Sequence, residues 1–354
     1  MLLRISLTLL IALLGTTALA VGIGRGLPRG DQLLFEHMTG TGLFYLALTD
    51  LERVLVVPLT SQTYPNERDP AWSPDGNRIA FVRQDANMAQ ICVMSVRANA
   101  PFRCLPQSES NDSRPFWSPD GTRLLYHSFE IGGRVSLMLT DETGSLETTA
   151  LDIGNIGYVW SNDAQQLIFG LAQQGIEGLH VTSANNENQS EQFLTYGSYP
   201  QFSHNGEWLG FVRRFDTSVK TDIFIIPSTC ISTPETCNDQ SIRLTEHESN
   251  IPSFVWSPDD TQIVYVSNHN GGLKIYMVNM STQETILLTP SFSYADYPNY
   301  SLDGTYISFV GILTSNGFDA DVYVQRLGEQ GELICITCGT SLRNNNRNPQ
   351  WRPR

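Results

Sequence analysis

Three residue sets in this chain have types and spacings that could carry chemistry: six cysteines, six histidines and a recurring Ser-x-Asp. The cysteines fall as near neighbours, Cys92 with Cys104, Cys230 with Cys237 and Cys335 with Cys338. In an exported protein such an even, locally paired set reads as a disulfide framework rather than a metal site. Cys335-Ile336-Thr337-Cys338 has redox-motif spacing but lies in a strand-like run, without the helix N-terminus that lowers a thiol pKa. It is also a lone pair, with no second pair at zinc-ligand spacing. The histidines are His37, His127, His180, His204, His247 and His269, and no two of them have ligand spacing. His180 is flanked by Leu179 and Val181 in a strand, and His204 replaces proline in a turn, which predicts exposure. His127 and His269 are expected just past strand ends, where loops begin.

Other chemistries find no support. There is no Gly-x-Ser-x-Gly elbow and no amphipathic helical stretch for a hydrolase domain. A Gly-rich phosphate loop and a cofactor fingerprint are both missing, so no cofactor is expected. With 22 Lys+Arg against 36 Asp+Glu the net charge is −14, which argues against a nucleic-acid partner. Four Asn-x-Ser sequons, at Asn111, Asn188, Asn279 and Asn299, are treated as chance.

The elements that would position these groups come from an internal repeat. Trp72-Ser-Pro-Asp-Gly76 recurs as Trp117 to Gly121 and as Trp256-Ser-Pro-Asp-Asp260, with weaker copies beginning at Trp160, Phe202 and Tyr300. Counting that aromatic as position zero, an aliphatic residue stands at +7 (Ile79, Leu124, Leu167, Leu209, Ile263, Ile307). An aromatic stands at +9 (Phe81, Tyr126, Phe169, Phe211, Tyr265, Phe309). Residues two apart share one strand face, so each copy predicts a strand, a Pro-Asp-Gly turn and a second strand with a core face. The carboxylates of Asp75 and Asp120 then belong to turns rather than to an acid–base pair. Third strands follow, such as Ile91 to Val96, and fourth strands end at Leu-Thr or Leu-Pro, as at Leu244-Thr245.

The copies are 45, 43, 42, 54 and 44 residues apart, the period of a four-stranded propeller blade. The long step holds an insertion around Cys230 and Cys237. Leu33-Leu34-Phe35 looks like a second strand with no first, and Asn348 to Pro353 like a first strand with no blade behind it. The expectation is an all-β, seven-bladed β-propeller, closed by three N-terminal strands and one C-terminal strand, with six blades as the alternative.

The repeat Pro-x-Trp-Ser-Pro-Asp-Gly-x-x-Ile-x-Phe, at Pro70 to Phe81 and Pro115 to Tyr126, resembles that of TolB-type propellers. The resemblance implies an exported bacterial propeller, a fold that also serves lyases and peptidase accessory domains. It departs from TolB itself in blade count and in leaving no room for a separate domain before Leu33. Some propellers resembling this one hold a metal in the central cavity with scattered histidines, so a metal-assisted carbohydrate lyase or hydrolase is the runner-up reading. An envelope-anchored structural module is the third.

Met1 to Ala20 reads as a signal peptide, with Arg4, an apolar run and Ala18-Leu19-Ala20 before the cleavage point. An uncleaved membrane anchor over 5–24 is the alternative. Residues 21–31 would be a linker and 32–354 the propeller, placed in the periplasm or outside the cell. A monomer is expected, binding a protein or peptide partner of the cell envelope at one channel mouth. The residues just before each position-zero aromatic would form that mouth: Arg68, Asp69, Ser113, Arg114, Tyr158, Tyr199, Ser253, Asp296, Tyr297, Arg347 and Asn348. Tyr and Arg among small polar neighbours suit partner recognition.

Overall fold

A computed structural model describes residues 32–38, 42–51, 56–60, 66–85, 88–97, 100–106, 110–130, 132–133, 135–144, 148–152, 157–173, 175–184, 190–214, 220–246, 249–314, 319–328, 331–338 and 346–353. The signal-peptide and linker segments, His247 and Asn188 lie outside these residues.

Each repeat copy folds because its turn satisfies its own polar groups. In the first, Ser73 N–H donates to the Arg78 carbonyl at 2.9 Å, and Arg78 N–H donates back to Ser73 Oγ at 2.9 Å. The serine hydroxyl donates to Asp75 Oδ1 at 2.5 Å, and Asn77 N–H reaches the same oxygen at 3.1 Å. Gly76 takes φ +64°, and a Cβ there would stand 2.4 Å from the Pro353 carbonyl, so only glycine fits. The Ser-to-carboxylate bond recurs from Ser118 to Asp120, Ser161 to Asp163, Ser257 to Asp259 and Ser301 to Asp303, with Asn205 replacing the carboxylate opposite Ser203. These serines are buried. The aspartates accept so many hydrogen bonds that Asp75, Asp120, Asp163, Asp259 and Asp303 are all held below the usual carboxylate range.

Seven four-stranded antiparallel sheets result. Blades 1 to 6 begin with the strands Asn66–Trp72, Ser110–Trp117, Tyr158–Trp160, Ser198–Phe202, Phe254–Trp256 and Phe292–Tyr300. Blade 7 closes the ring. Its first strand is C-terminal, Arg347–Trp351, and pairs antiparallel with Gln32–Met38, which is followed by Phe44–Asp50 and Val57–Pro58. Leu33 stands opposite Trp351 in that pairing.

The second strands are buried on both faces, more than the single core face read from the +7 and +9 positions. Ala80, Leu125, Ile168 and Val264, at +8, are as inaccessible as their neighbours. Each blade is sandwiched between two others, and the apolar clusters span the joints. One joins Leu34, Leu46 and Leu48 of blade 7 to Trp72, Ile79 and Phe81 of blade 1. Another joins Leu33, Phe35 and Trp351 of blade 7 to Val310, Val322 and Val324 of blade 6.

A second periodic bond runs between blades. The indole N–H of Trp117 donates to the Ala71 carbonyl at 3.2 Å, Trp256 to Gln201 at 3.2 Å, Trp72 to Gln350 at 3.3 Å and Trp351 to Asn299 at 3.2 Å. Each acceptor is the residue just before the previous blade's position-zero aromatic. The Trp72 bond ties blade 1 to the C-terminal strand of the closing blade, and the Trp351 bond ties that strand to blade 6.

All three cysteine pairs are disulfide-bonded. Cys92 and Cys104 face each other across neighbouring strands. The insertion lies between strands Thr221–Pro227 and Ile242–Arg243 and forms three short 3₁₀ turns. Cys230 and Cys237 are buried in the core there, so the bond pins a packed cap.

Candidate binding site at the channel mouth

The first strand sits at one end of every sheet, and first strands contact each other between blades 7 and 1, 1 and 2, 3 and 4, 5 and 6, and 6 and 7. They therefore line the axis. Three residues before the aromatic, in six of seven blades, the backbone turns left-handed: Asp69 (φ 49°), Arg114 (52°), Gly157 (89°), Tyr199 (53°), Tyr297 (57°) and Asn348 (51°). Ser253 is the exception. The pairing register slips at this point, between Arg68 and Ala71, Ser113 and Phe116, Ser198 and Gln201, and Asp296 and Asn299. Proline follows in five copies, Pro70, Pro115, Pro200, Pro298 and Pro349. It has no N–H to lose from the ladder, so a bulge forms there at little cost, and a bulge re-aims side chains.

All eleven residues read from the sequence as mouth residues lie on these first strands or, for Ser253, one step before. Arg68, Ser113, Asp296 and Arg347 pair across to the second strand at Val82, His127, Val310 and Glu36. Asp69, Arg114, Tyr199, Tyr297 and Asn348 are the left-handed residues themselves. The Tyr158 hydroxyl donates to the Arg114 carbonyl at 2.9 Å, tying blade 3 to blade 2.

Electrostatic coupling places several of them around one opening. Burial pushes the Tyr158 phenol up, Arg114 opposes the shift and Asp69 of blade 1 adds to it. Burial likewise raises Tyr297, followed by Asp296, and the group also feels Arg347, Glu36 and Asp69. Asp296 is raised by burial while accepting from the Tyr297 N–H at 2.7 Å and the Tyr294 hydroxyl at 3.1 Å.

Two buried residues at the mouth escaped the sequence reading. In blades 1 and 4 to 6 the +10 position is valine (Val82, Val212, Val266, Val310), and in blade 3 it is Gly170. Blade 7 has Glu36 there and blade 2 has His127. Glu36 is 3% exposed and its Oε1 accepts the Asp69 N–H at 3.0 Å. Desolvation, then Asp69, raises its pKa to about 7. His127 was expected at a loop start. It lies inside strand Arg123–Glu130, because that strand runs on past Tyr126, and it is 1% exposed. Neither ring nitrogen has a partner, its ring sits 5.1 Å from that of Tyr158, and burial, then Arg114, lowers its pKa to about 4. The departure from valine at +10 was the available signal.

A cavity of about 750 Å³ runs along the first strands of blades 2 to 4, from Tyr158 and Tyr199 to the turn residues Pro119, Asn162 and His204 at their other end. Phe116, Tyr199 and Tyr297 are each 41% exposed. Arg68 Nε, on the first strand of blade 1, and Ser253 Oγ, just before that of blade 5, are buried without a hydrogen-bond partner. Aromatic, guanidinium and carboxylate groups are thus all carried on the first strands.

The remaining histidines lie in separate blades. His37 Nδ1 is 2.6 Å from Asn346 Oδ1, His180 is in strand Ile176–Ser183, His204 pairs with Asp260 at 3.1 Å and His269 is exposed in a turn. His204 is exposed as expected, and His269 falls in a loop as expected. Among the described residues, Asp321, Cys335 and Cys338 are the one group of three His, Cys, Asp or Glu ligand atoms lying within 4.8 Å of one another. A histidine metal centre therefore has no assembled ligand set among these residues.

This is a seven-bladed β-propeller whose first strands carry a ring of left-handed residues. The sequence profile of the TolB beta propeller domain matches residues 46–227, and the chain belongs to that family. No curated protein matches it. Among solved structures, TolB from Acinetobacter baumannii is similar at 16% identity, covering 93% of this chain and 81% of that one with a TM-score of 0.56. The β-propeller domain of the trilobed protease from Pyrococcus furiosus, described as having an open velcro topology, is 12% identical over 90% and 98% of the two chains, with a TM-score of 0.65. An oligogalacturonate lyase in complex with manganese is 17% identical over 87% and 85%, with a TM-score of 0.55. These likenesses are of fold.

Proposed function

We propose that this propeller is a non-enzymatic binding module that holds a segment of a protein partner at the mouth ringed by Asp69, Arg114, Tyr199, Tyr297 and Asn348. The observation that carries the reading is the left-handed backbone at Arg114, Tyr199 and Tyr297. A bulky residue in that conformation costs on the order of 1–2 kcal/mol, and such strain gathers at functional sites. Gly157 and Asn348, at equivalent positions, satisfy the same bulge with residues that tolerate it. Large side chains at a strained, half-exposed place are there for what they touch.

The leader-like first twenty residues support export, with the partner in the periplasm, the envelope or outside the cell. The charge of −14 supports a protein rather than a nucleic-acid ligand. A lyase reading draws on the manganese-bound neighbour but finds no convergent histidine set among the described residues. The test is quantitative capture from an envelope extract with the mature protein and with Arg114→Gly, Tyr199→Gly and Tyr297→Gly. Loss of the same captured protein in all three, with melting temperatures kept, is the expected result. Capture that all three leave unchanged would move the site elsewhere.

A further inference from the structure

The three disulfides differ in surroundings. Cys92, Cys230 and Cys237 are buried, and each of those two bonds closes a loop that packs into the core. Cys338 alone among the six is exposed. Its loop spans a sequence separation of 3, so it contributes least of the three to restricting the unfolded chain. Stapling is therefore a weak reason for this pair.

Its neighbours are those of a reactive thiol pair. The Cys338 N–H points at Cys335 Sγ from 3.1 Å, where it would stabilise a thiolate on Cys335. Asp321 Oδ2 lies 3.6 Å from Cys338 Sγ, and the Tyr323 hydroxyl lies 3.7 Å from it. Asp321 is 7% exposed and fixed by a hydrogen-bonded chain. Thr337 Oγ1 donates to Asp321 Oδ1 at 2.7 Å, Asn346 Nδ2 donates to Thr337 Oγ1 at 2.9 Å, and His37 Nδ1 donates to Asn346 Oδ1 at 2.6 Å. The chain crosses from blade 6 into the closing blade.

From this geometry we infer that Cys335–Cys338 is a thiol–disulfide exchange site for a dithiol reductant, with Asp321 as the proton carrier for Cys338. A thiolate of the dithiol attacks exposed Cys338 Sγ. The Cys335–Cys338 bond breaks, a mixed disulfide forms on Cys338, and Cys335 leaves as a thiolate under the Cys338 N–H. The second thiol of the reductant, deprotonated, attacks its own sulfur in the mixed disulfide and leaves as a cyclic disulfide. Cys338 departs as a thiolate and is protonated through Asp321, while Cys335 takes its proton from solvent. The protein gains two electrons and two protons, and the dithiol is oxidised. In reverse, the Asp321 carboxylate removes the Cys338 proton to start attack on an oxidised partner.

The oxidised, folded protein is treated with dithiothreitol, and alkylation of each cysteine by iodoacetamide is followed by mass spectrometry. Cys335 and Cys338 should label about tenfold or more faster than the other four, and Asp321→Asn should slow their exchange about tenfold and flatten its pH profile. Simultaneous labelling of all six cysteines, or an unchanged rate and pH profile in a folded Asp321→Asn protein, would overturn the assignment. If that variant does not fold, selective labelling of the natural protein decides alone.

Discussion

Glu36 Oε1 accepts the backbone N–H of Asp69 at 3.0 Å, joining the second strand of the closing blade to the left-handed bulge of blade 1. A carboxyl group 33 positions away in sequence thus holds a mouth residue in place from beneath, and it does so while almost wholly buried.

That burial sets a pH dependence with a definite sign. Glu36 has a folded pKa of about 7 against an ordinary 4.5, so the folded protein binds this proton more tightly than the unfolded chain does. Its contribution to stability is fully present below about pH 4.5 and is lost as pH rises through 7. Glu36→Gln keeps an acceptor for the Asp69 N–H and carries no charge. Urea denaturation should show the variant equal to the natural protein near pH 4.5 and more stable at pH 8, by about 3 kcal/mol at most. Glu67, raised to about 6 mainly by burial, adds in the same direction in both proteins. The turn aspartates act oppositely: their stabilisation is present at neutral pH and lost as pH falls through their lowered values.

Relief of backbone strain should separate stability from recognition. Arg114→Gly, Tyr199→Gly and Tyr297→Gly each remove a side chain from a left-handed residue, and thermal melts should show stability unchanged or raised by about 1 kcal/mol. A loss of several kcal/mol would mean that these side chains serve the fold.

The tryptophans offer an internal control. Trp117 donates to the Ala71 carbonyl, whereas Trp160 Nε1 is buried without a partner. Trp117→Phe should cost about 1 kcal/mol and leave a carbonyl unmet, while Trp160→Phe should be neutral or stabilising. Trp351→Ala, which empties the seam and breaks the bond to Asn299, should cost about 3–5 kcal/mol in denaturant titrations.

Loss of the Cys92–Cys104 bridge should cost about 2–4 kcal/mol, measured on Cys92→Ala/Cys104→Ala. The pair joins two strands of one blade behind buried Phe81, so the variant should unfold earlier without losing its strands.

The fold was legible because six of the seven blades solve one problem with a copy of the same motif, and each copy states the solution in the same few residues. Trp-Ser-Pro-Asp-Gly encodes a strand end, a capped turn and an inter-blade hydrogen bond, and even the weak copies keep the Ser and its partner. Ring closure was legible from two orphan strands that complement each other. The site was legible only as a position in the repeat. The left-handed bulge left a trace in the x-Pro pairs, but proline before the aromatic is also consistent with a plain strand entry. Glu36 stayed hidden because its blade's first strand lies at the far end of the chain, so no repeat aromatic numbered it as +10. His127 was misplaced because strand length is set by pairing, here with Val135–Asp141, and not by the motif. The raised and lowered pKa values depend on burial by neighbouring blades, which no local pattern encodes.

Site-directed photocrosslinking in an envelope extract tests the binding mouth most directly, with a benzoylphenylalanine placed at Tyr297 or Tyr199, at Thr261 in the exposed turn that follows the first strand of blade 5, and at Phe102 on an outer strand. One protein adduct, formed from positions 297 and 199 and not from 261 or 102, is the expected outcome. Adducts arising from 261 or 102 while 297 and 199 give none would contradict a partner held at the ring of left-handed residues.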